Sequence, residues 1–159
     1  MISNSSPGFT RTFSDHVLVI EATIDDMTPE QTGYLQEKLL AASVLDVFLT
    51  PVLMKKNRPG VNVTVLARPE SRASVGEILF SEGTTLGIRY HEVRREALER
   101  RLISVKNRYG KVRVKEGMLR GKVVNRAPEL EDCRKLAQSK KVPLKAVQQA
   151  ALDAIRSSK

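Results

Sequence analysis

Cysteine, histidine and tryptophan are nearly absent from this chain, and each shortage excludes something. Among 159 residues there is one cysteine, Cys133, and there are two histidines and no tryptophan. A single thiol rules out an internal disulfide and any cysteine-based metal cluster within one copy. With so few soft ligands, metal chemistry on this chain falls to oxygen donors, which favours Mg²⁺ or Mn²⁺. Aromatic residues make up only 4% of the chain, which argues against a surface that stacks bases one after another. No apolar run approaches the ~20 residues of a membrane span, and the N-terminus shows no signal-peptide core. The expected location is therefore the cytoplasm.

What is abundant is positive charge. Lysine and arginine total 27 against 18 aspartates and glutamates, a net charge of +9. Such an excess suits polyanions, whether nucleic acid, nucleotides or phosphorylated cofactors, although a purely structural excess is also common. Three of these cations stand close together in one turn. TPVLMKKNRPG closes an apolar, strand-like run and sets Lys55, Lys56 and Arg58 into the turn that follows. Three cations within four residues repel one another in water, so a facing anion would relieve them. The same stretch also suits a solvated turn that keeps a sheet soluble.

Hydrophobic periodicity organises the rest. Residues 1–15 are polar and without period, and read as a flexible arm. Residues 17–24 (VLVIEATI) alternate as a strand. Thr28, Pro29 and Gln31 then supply an N-cap, a first-turn proline and a capping-box partner for a helix ending near Ser43. Residues 44–54 form a second strand, which Pro51 confines to an edge or a bulge. Residues 60–67 form a third, and Ser71 caps a second helix that stops at Gly83. Residues 84–93 (TTLGIRYHEV) read as a fourth strand. The order strand-helix-strand-strand-helix-strand is the split βαβ of a ferredoxin-like sandwich, placed at 16–94.

From 95 to 159 the pattern predicts a small α/β roll of roughly 60 residues. REALERR, 95–101, reads as a charged connection. LISVKN and KVRVKEG then alternate about Arg108, Tyr109 and Gly110 as a hairpin. A third strand is expected over 119–124, and Pro128 and Pro143 each open a helix. Cys133 falls on the apolar face of the first of these and reads as core. The fold class is α+β: a ferredoxin-like βαββαβ sandwich followed by a small roll-type domain.

Four stretches together, IDDMTPEQTGYLQEKLL, DVFLTPVLMKKNRPG, TTLGIRY and KVRVKEG with PELEDCRKLA, carry a resemblance. Over roughly 16–155 the chain resembles the C-terminal half of the LarC family, the nickel-insertion protein of nickel-pincer cofactor synthesis. It departs from the family pattern at Thr23, where the family usually has Asn, and at Leu130, where an aromatic is expected. The resemblance implies a CTP-dependent nickel chelatase, a cyclometallase of the lyase class. CTP would activate a pyridinium-3,5-bisthiocarboxylic acid mononucleotide by cytidylylation, nickel would be inserted, and CMP and pyrophosphate would leave. It further implies CTP held with Mg²⁺ or Mn²⁺, a partner N-terminal half carrying the His-rich metal-handling region, and a homo-oligomer, trimer or hexamer.

Carried onto residues, that expectation assigns Asp25 and Asp26 to the divalent cation. Aspartates next to a helix start are equally well accounted for by the helix dipole, which favours them by ~0.3–1 kcal/mol. Lys55, Lys56 and Arg58 are assigned to the triphosphate, where neutralising charge would assist attack at the α-phosphorus. Thr84 and Thr85, with Gly87 and Arg89, form a second polar patch for ribose or phosphate. Lys115 and Lys122, with Arg126 nearby, complete the expected anion contacts, while Glu129 and Asp132 also fit a solvated first turn. Two other functions compete: a basic nucleic-acid-binding module, and a ferredoxin-like small-molecule regulatory domain without catalysis. The first would need stacking aromatics on the central strands, and VNVTVLA has none.

Overall fold

The computed structural model describes residues 12–157. The expected arm over 1–15 lies largely outside that range, and β1 (Thr12–Ile24) already begins within it. The chain forms two compact units, one spanning Ser14–Arg95 and the other holding the chain from Glu96 onward.

In the first unit β1 is followed by α1 (Pro29–Ala41), β2 (Asp46–Met54), β3 (Arg58–Ala67), α2 (Arg72–Glu82) and the start of β4 (Arg89–Asn107). The strands lie in the order β2-β3-β1-β4, which is the ferredoxin-like arrangement. β3 pairs antiparallel with both β1 and β2, with Ile20 opposite Val65 and Thr50 opposite Asn62. Alternation in β1 explains the layering. Leu18, Ile20, Ala22 and Ile24 point to one side and are buried, with Val63, Val65 and Ala67 of β3, against Leu35 and Leu39 of α1 and Val75 and Leu79 of α2. Each large side chain so buried contributes about 1.5–3 kcal/mol, which outweighs the weak intrinsic preferences of these short helices.

Local signals set the boundaries. Thr28 accepts from the backbone of Gln31 while the Gln31 side chain accepts from the backbone of Thr28, a complete capping box. Pro51 sits in β2, the edge strand, where a missing N–H costs least. Ser71 makes no capping bond; a 3₁₀ turn over Pro69–Ser71 leads into α2 instead. Residues 84–88 are loop rather than strand, and β4 starts at Arg89.

β4 then continues for 19 residues through the stretch expected to be a connection. Two of its charges find partners beside the strand. Arg95 forks onto Asp15 through two nitrogens at 3.0 and 2.6 Å, and Arg101 reaches Glu116. Charge density alone therefore misreads this segment.

The second unit orders the end of β4 with β5 (Gly110–Leu119) and β6 (Lys122–Pro128), all antiparallel. Asn107 closes the β4–β5 hairpin by accepting from the backbone of Tyr109 and Gly110. Gly110 there has φ +149°, a value that L side chains rarely adopt. α3 (Leu130–Lys140) and α4 (Leu144–Ser157) follow. Val112, Cys133, Ala137, Val147 and Ala151 form this unit's core, so Cys133 is buried as expected. Burial also raises its thiol pKa, which keeps it inert.

Candidate functional site

β1 ends at Ile24, and the next two residues, Asp25 and Asp26, stand at the corner where β1 gives way to the Thr28 cap of α1. On one side of that corner runs the β2–β3 hairpin, because β3 is the neighbour of β1 and Ile24 pairs with Val61. The approach is tight. A Cβ on Gly60 would lie 2.7 Å from the Ile24 carbonyl oxygen and 2.7 Å from the Met54 sulfur, so only glycine lets the hairpin close there. On the other side comes the loop between α2 and β4, since β4 is the other neighbour of β1.

Both flanks touch the acids. Arg58 Nη1 donates to Asp25 Oδ2 at 3.2 Å, and the Thr84 hydroxyl donates to Asp26 Oδ1. A small cavity of about 230 Å³ opens beside Asp25, lined among others by Ile24, Met27, Thr32, Pro59 and Gly60. Asp25 is largely shielded while Arg58 is mostly exposed, with side chains 22% and 57% accessible. The pair is thus half open to any incoming anion. Lys55 and Lys56 are exposed in the turn, and Lys56 and Asn57 both take left-handed backbone angles (φ 61° and 57°). A non-glycine residue held there costs on the order of 1–2 kcal/mol, most for lysine and less for asparagine.

Arg89 is placed differently. Its Nε, Nη1 and Nη2 donate to Glu21, Thr23 and Asn62 at 3.1, 2.9 and 2.6 Å. Asn62 also donates to Glu21 at 2.8 Å, and the Asn62 contact followed by Arg89 holds the Glu21 carboxyl below its ordinary range. This network lies on the sheet face away from the helices, in a shallow concavity of about 510 Å³ that Phe48 and Leu66 also line. Thr85 turns on itself: its hydroxyl donates to the Gly87 carbonyl at 2.8 Å. Lys115 and Lys122 belong to the second unit, where Lys115 pairs with Glu129 at 2.9 Å and Lys122 is exposed at the start of β6.

The corner therefore gathers Asp25, Asp26, Arg58 and Thr84, with the two lysines in the same hairpin turn as Arg58. Glu21 and Asn62 were not found by sequence reasoning, although their positions on the polar side of alternating strands were a usable signal. Glu129 and Asp132, which could have been a solvated first turn, are both engaged. Arg113 donates to Asp132 from its backbone and from two side-chain nitrogens, and these contacts hold the Asp132 carboxyl down at about 2.

Among the described residues no group of three or more histidine, cysteine, aspartate or glutamate side chains could hold a metal. Asp25 and Asp26 supply two carboxylates from consecutive residues, one bonded to each flank of the corner. That donor set fits a hard cation whose other positions are filled by water and phosphate, and it does not fit a cation caged by protein alone.

Residues 6–148 match the family model described as nickel insertion protein. The chain belongs to the nickel insertion protein family. Two curated relatives within that family are similar over most of its length. A pyridinium-3,5-bisthiocarboxylic acid mononucleotide nickel insertion protein from Thermotoga petrophila is 44% identical over 143 residues, 90% of this chain and 36% of that protein. The protein of the same description from Acetivibrio thermocellus is 46% identical over 141 residues, 89% of this chain and 34% of that one. This nickel insertion family chain thus spans about a third of the length of the curated relatives it matches.

Among solved structures it is similar to LarC2, the C-terminal domain of a cyclometallase involved in synthesis of the NPN cofactor of lactate racemase, in its apo form. The TM-score is 0.85 at 39% identity, covering 91% of this chain and 99% of that one. Protein MK0293 from Methanopyrus kandleri shares the fold, with a TM-score of 0.64 at 23% identity over 89% of each chain. Among the described residues, no helix is long and apolar enough to cross a membrane.

Proposed function

We propose that this chain is the CTP- and divalent-metal-binding C-terminal portion of a nickel-inserting cyclometallase, working in the cytoplasm with an N-terminal half and as a homo-oligomer. The observation that carries the reading is the corner itself: Asp25 paired with Arg58, and Asp26 bonded to Thr84. Two acids between a cationic hairpin and a hydroxyl-bearing loop suit a metal-bound polyphosphate. Mg²⁺ or Mn²⁺ would be held by Asp25 and Asp26 and would supply charge neutralisation of the phosphate oxygens.

The residues of the chain have separate tasks. Lys55 and Lys56 offset charge on the triphosphate, and Arg58 forks onto phosphate oxygens as it yields its contact with Asp25. Thr84 fixes the Asp26 carboxylate and Arg89 fixes the adjoining strand ends through Glu21 and Thr23. Lys115 and Lys122 are proposed as further anion contacts, on the second unit. A thiocarboxylate oxygen of the pyridinium bisthiocarboxylic acid mononucleotide would attack the α-phosphorus of CTP, forming a new P–O bond. The bond from that phosphorus to the bridging oxygen would break, and pyrophosphate would depart with its electron pair. Positioning and charge stabilisation carry this step without a nucleophilic side chain. Nickel is the cargo of the later step, in which CMP is released.

The nucleic-acid reading finds less support. Among the described residues lining the open sheet face the aromatic is Phe48, which lies on the edge strand β2 rather than on the central strands.

Calorimetry of the chain with CTP, ATP, GTP and UTP, each with and without Mn²⁺, tests the proposal. Binding that requires the metal and prefers CTP is the expected result. Metal-independent binding, or salt-sensitive binding of oligonucleotides without nucleotide preference, would overturn it.

A further inference from the structure

One side chain beside the corner is out of keeping with its setting. Leu86 is 101% exposed, more than any other large hydrophobic residue described. Its loop is not loosely attached. Thr84 is bonded to Asp26 and the Thr85 hydroxyl to the Gly87 backbone. Ile88 packs into the first unit's core. At the other end a Cβ on Gly83 would lie 2.6 Å from the Leu79 carbonyl oxygen and 3.6 Å from the Ile24 side chain, so the loop leaves α2 hard against the end of β1. An apolar side chain is thus held out in water by a loop tied down on both sides of it. Exposed leucines are ordinary singly, but one at the apex of an anchored loop within two residues of a site contact is a candidate for covering something.

Topology says what. β1 lies between β3 and β4, so the cationic hairpin and the Leu86 loop flank Asp25 and Asp26 from opposite sides. The contacts run in sequence from Arg58 to Asp25, and from Asp26 to Thr84. A ligand bound across this row meets three cations at one end and an uncharged, apolar side chain at the other. A nucleoside triphosphate has that polarity, with anionic phosphates at one end and a flat ring face at the other. We infer that Leu86 is the platform for the base of the nucleotide, packing its branched methyl groups against the ring face. This rests on the phosphate assignment made above, and it adds the residue that contacts the base.

The test separates the two ends of the ligand. Inorganic tripolyphosphate and CTP are titrated in the presence of Mn²⁺ into the full chain, into Leu86→Ser and into Leu86→Met, with sedimentation velocity run on each. Leu86→Ser should weaken CTP about tenfold, as expected for losing one apolar contact face, and leave tripolyphosphate unchanged. Leu86→Met should restore most of the CTP affinity. Equal CTP affinity in Leu86→Ser and the unsubstituted chain would overturn the base platform while leaving the phosphate site standing. A changed sedimentation coefficient with unchanged CTP affinity would also overturn it, assigning Leu86 to contact between copies. Failure of the unsubstituted chain to bind tripolyphosphate and CTP would remove the phosphate site and the platform together.

Discussion

At the corner where β1 ends, Asp25 meets one nitrogen of Arg58 and Asp26 meets one hydroxyl, while the neighbouring lysines stand in water. Across the sheet of the second unit, Glu116 is treated in the opposite way. Its carboxylate is 1% exposed, Arg101 holds one oxygen and Arg126 the other, and the three residues sit directly opposite one another on β4, β5 and β6. Hydrogen bonds from Arg126 and then Arg101 hold the Glu116 pKa below its usual value. A buried carboxylate whose two oxygens are both taken by arginines is a closed network that stabilises its own sheet. An acid with a single contact beside exposed cations has capacity left over, and capacity is what binding requires.

That contrast can be broken at its closed end first. Glu116→Gln should destabilise the chain by about 2 kcal/mol, because the amide turns a donor toward one arginine and leaves it unpaired; the exposure of both arginines keeps the cost below that of a fully buried pair. Urea unfolding would measure it, and an unchanged midpoint would show the network to be ornamental. At the open end the expectation is inverted. Lys55→Ala with Lys56→Ala should leave the unfolding midpoint unchanged and weaken CTP by about 10- to 100-fold, as charge-assisted contacts to phosphate are lost. Unchanged affinity in that double variant would remove the anion site.

Acid titration sharpens the comparison with a smaller effect. The Asp132 carboxyl titrates at about 2 in the folded chain, lowered chiefly by the Arg113 side chain. A depressed folded pKa means that the unfolded state binds the proton more readily. The stabilisation is therefore complete above the unfolded value and is lost as pH falls toward about 2. With Arg113 half exposed, the loss should be about 1–2 kcal/mol. Melting temperature followed from pH 6 down to pH 2 should fall less steeply in Asp132→Asn than in the unsubstituted chain. Parallel curves would show that the pair does not govern acid stability.

Much of the fold was legible because its determinants are local. The even-numbered apolar positions of β1, the capping box at Thr28 and the proline in β2 each predict their own element, and their order predicts the sandwich. Two features escaped for the same reason. The stretch from Arg95 to Arg101 looked like a connection because charge density is a property of the segment, whereas its partners Asp15 and Glu116 are 80 and 15 residues away. Residues 84–88 looked like strand because TTLGI has strand composition, whereas the bond from Thr84 to Asp26 spans 58 residues and holds a loop.

The site divides along the same line. Lys55, Lys56 and Arg58 announce themselves by adjacency, and so do Asp25 and Asp26, because neighbours in the chain remain neighbours in space. Sequence by itself therefore determined which charges exist, in which groups, and at the end of which strand. Only the tertiary structure decided which groups face each other: it closed Arg89 into Glu21, Thr23 and Asn62, left the hairpin lysines exposed, and brought Arg58 across 33 residues to Asp25. The physical reason is register. Side-chain alternation assigns each residue to a face, but which residues on that face meet depends on strand pairing, and pairing is a long-range choice settled by burying the core.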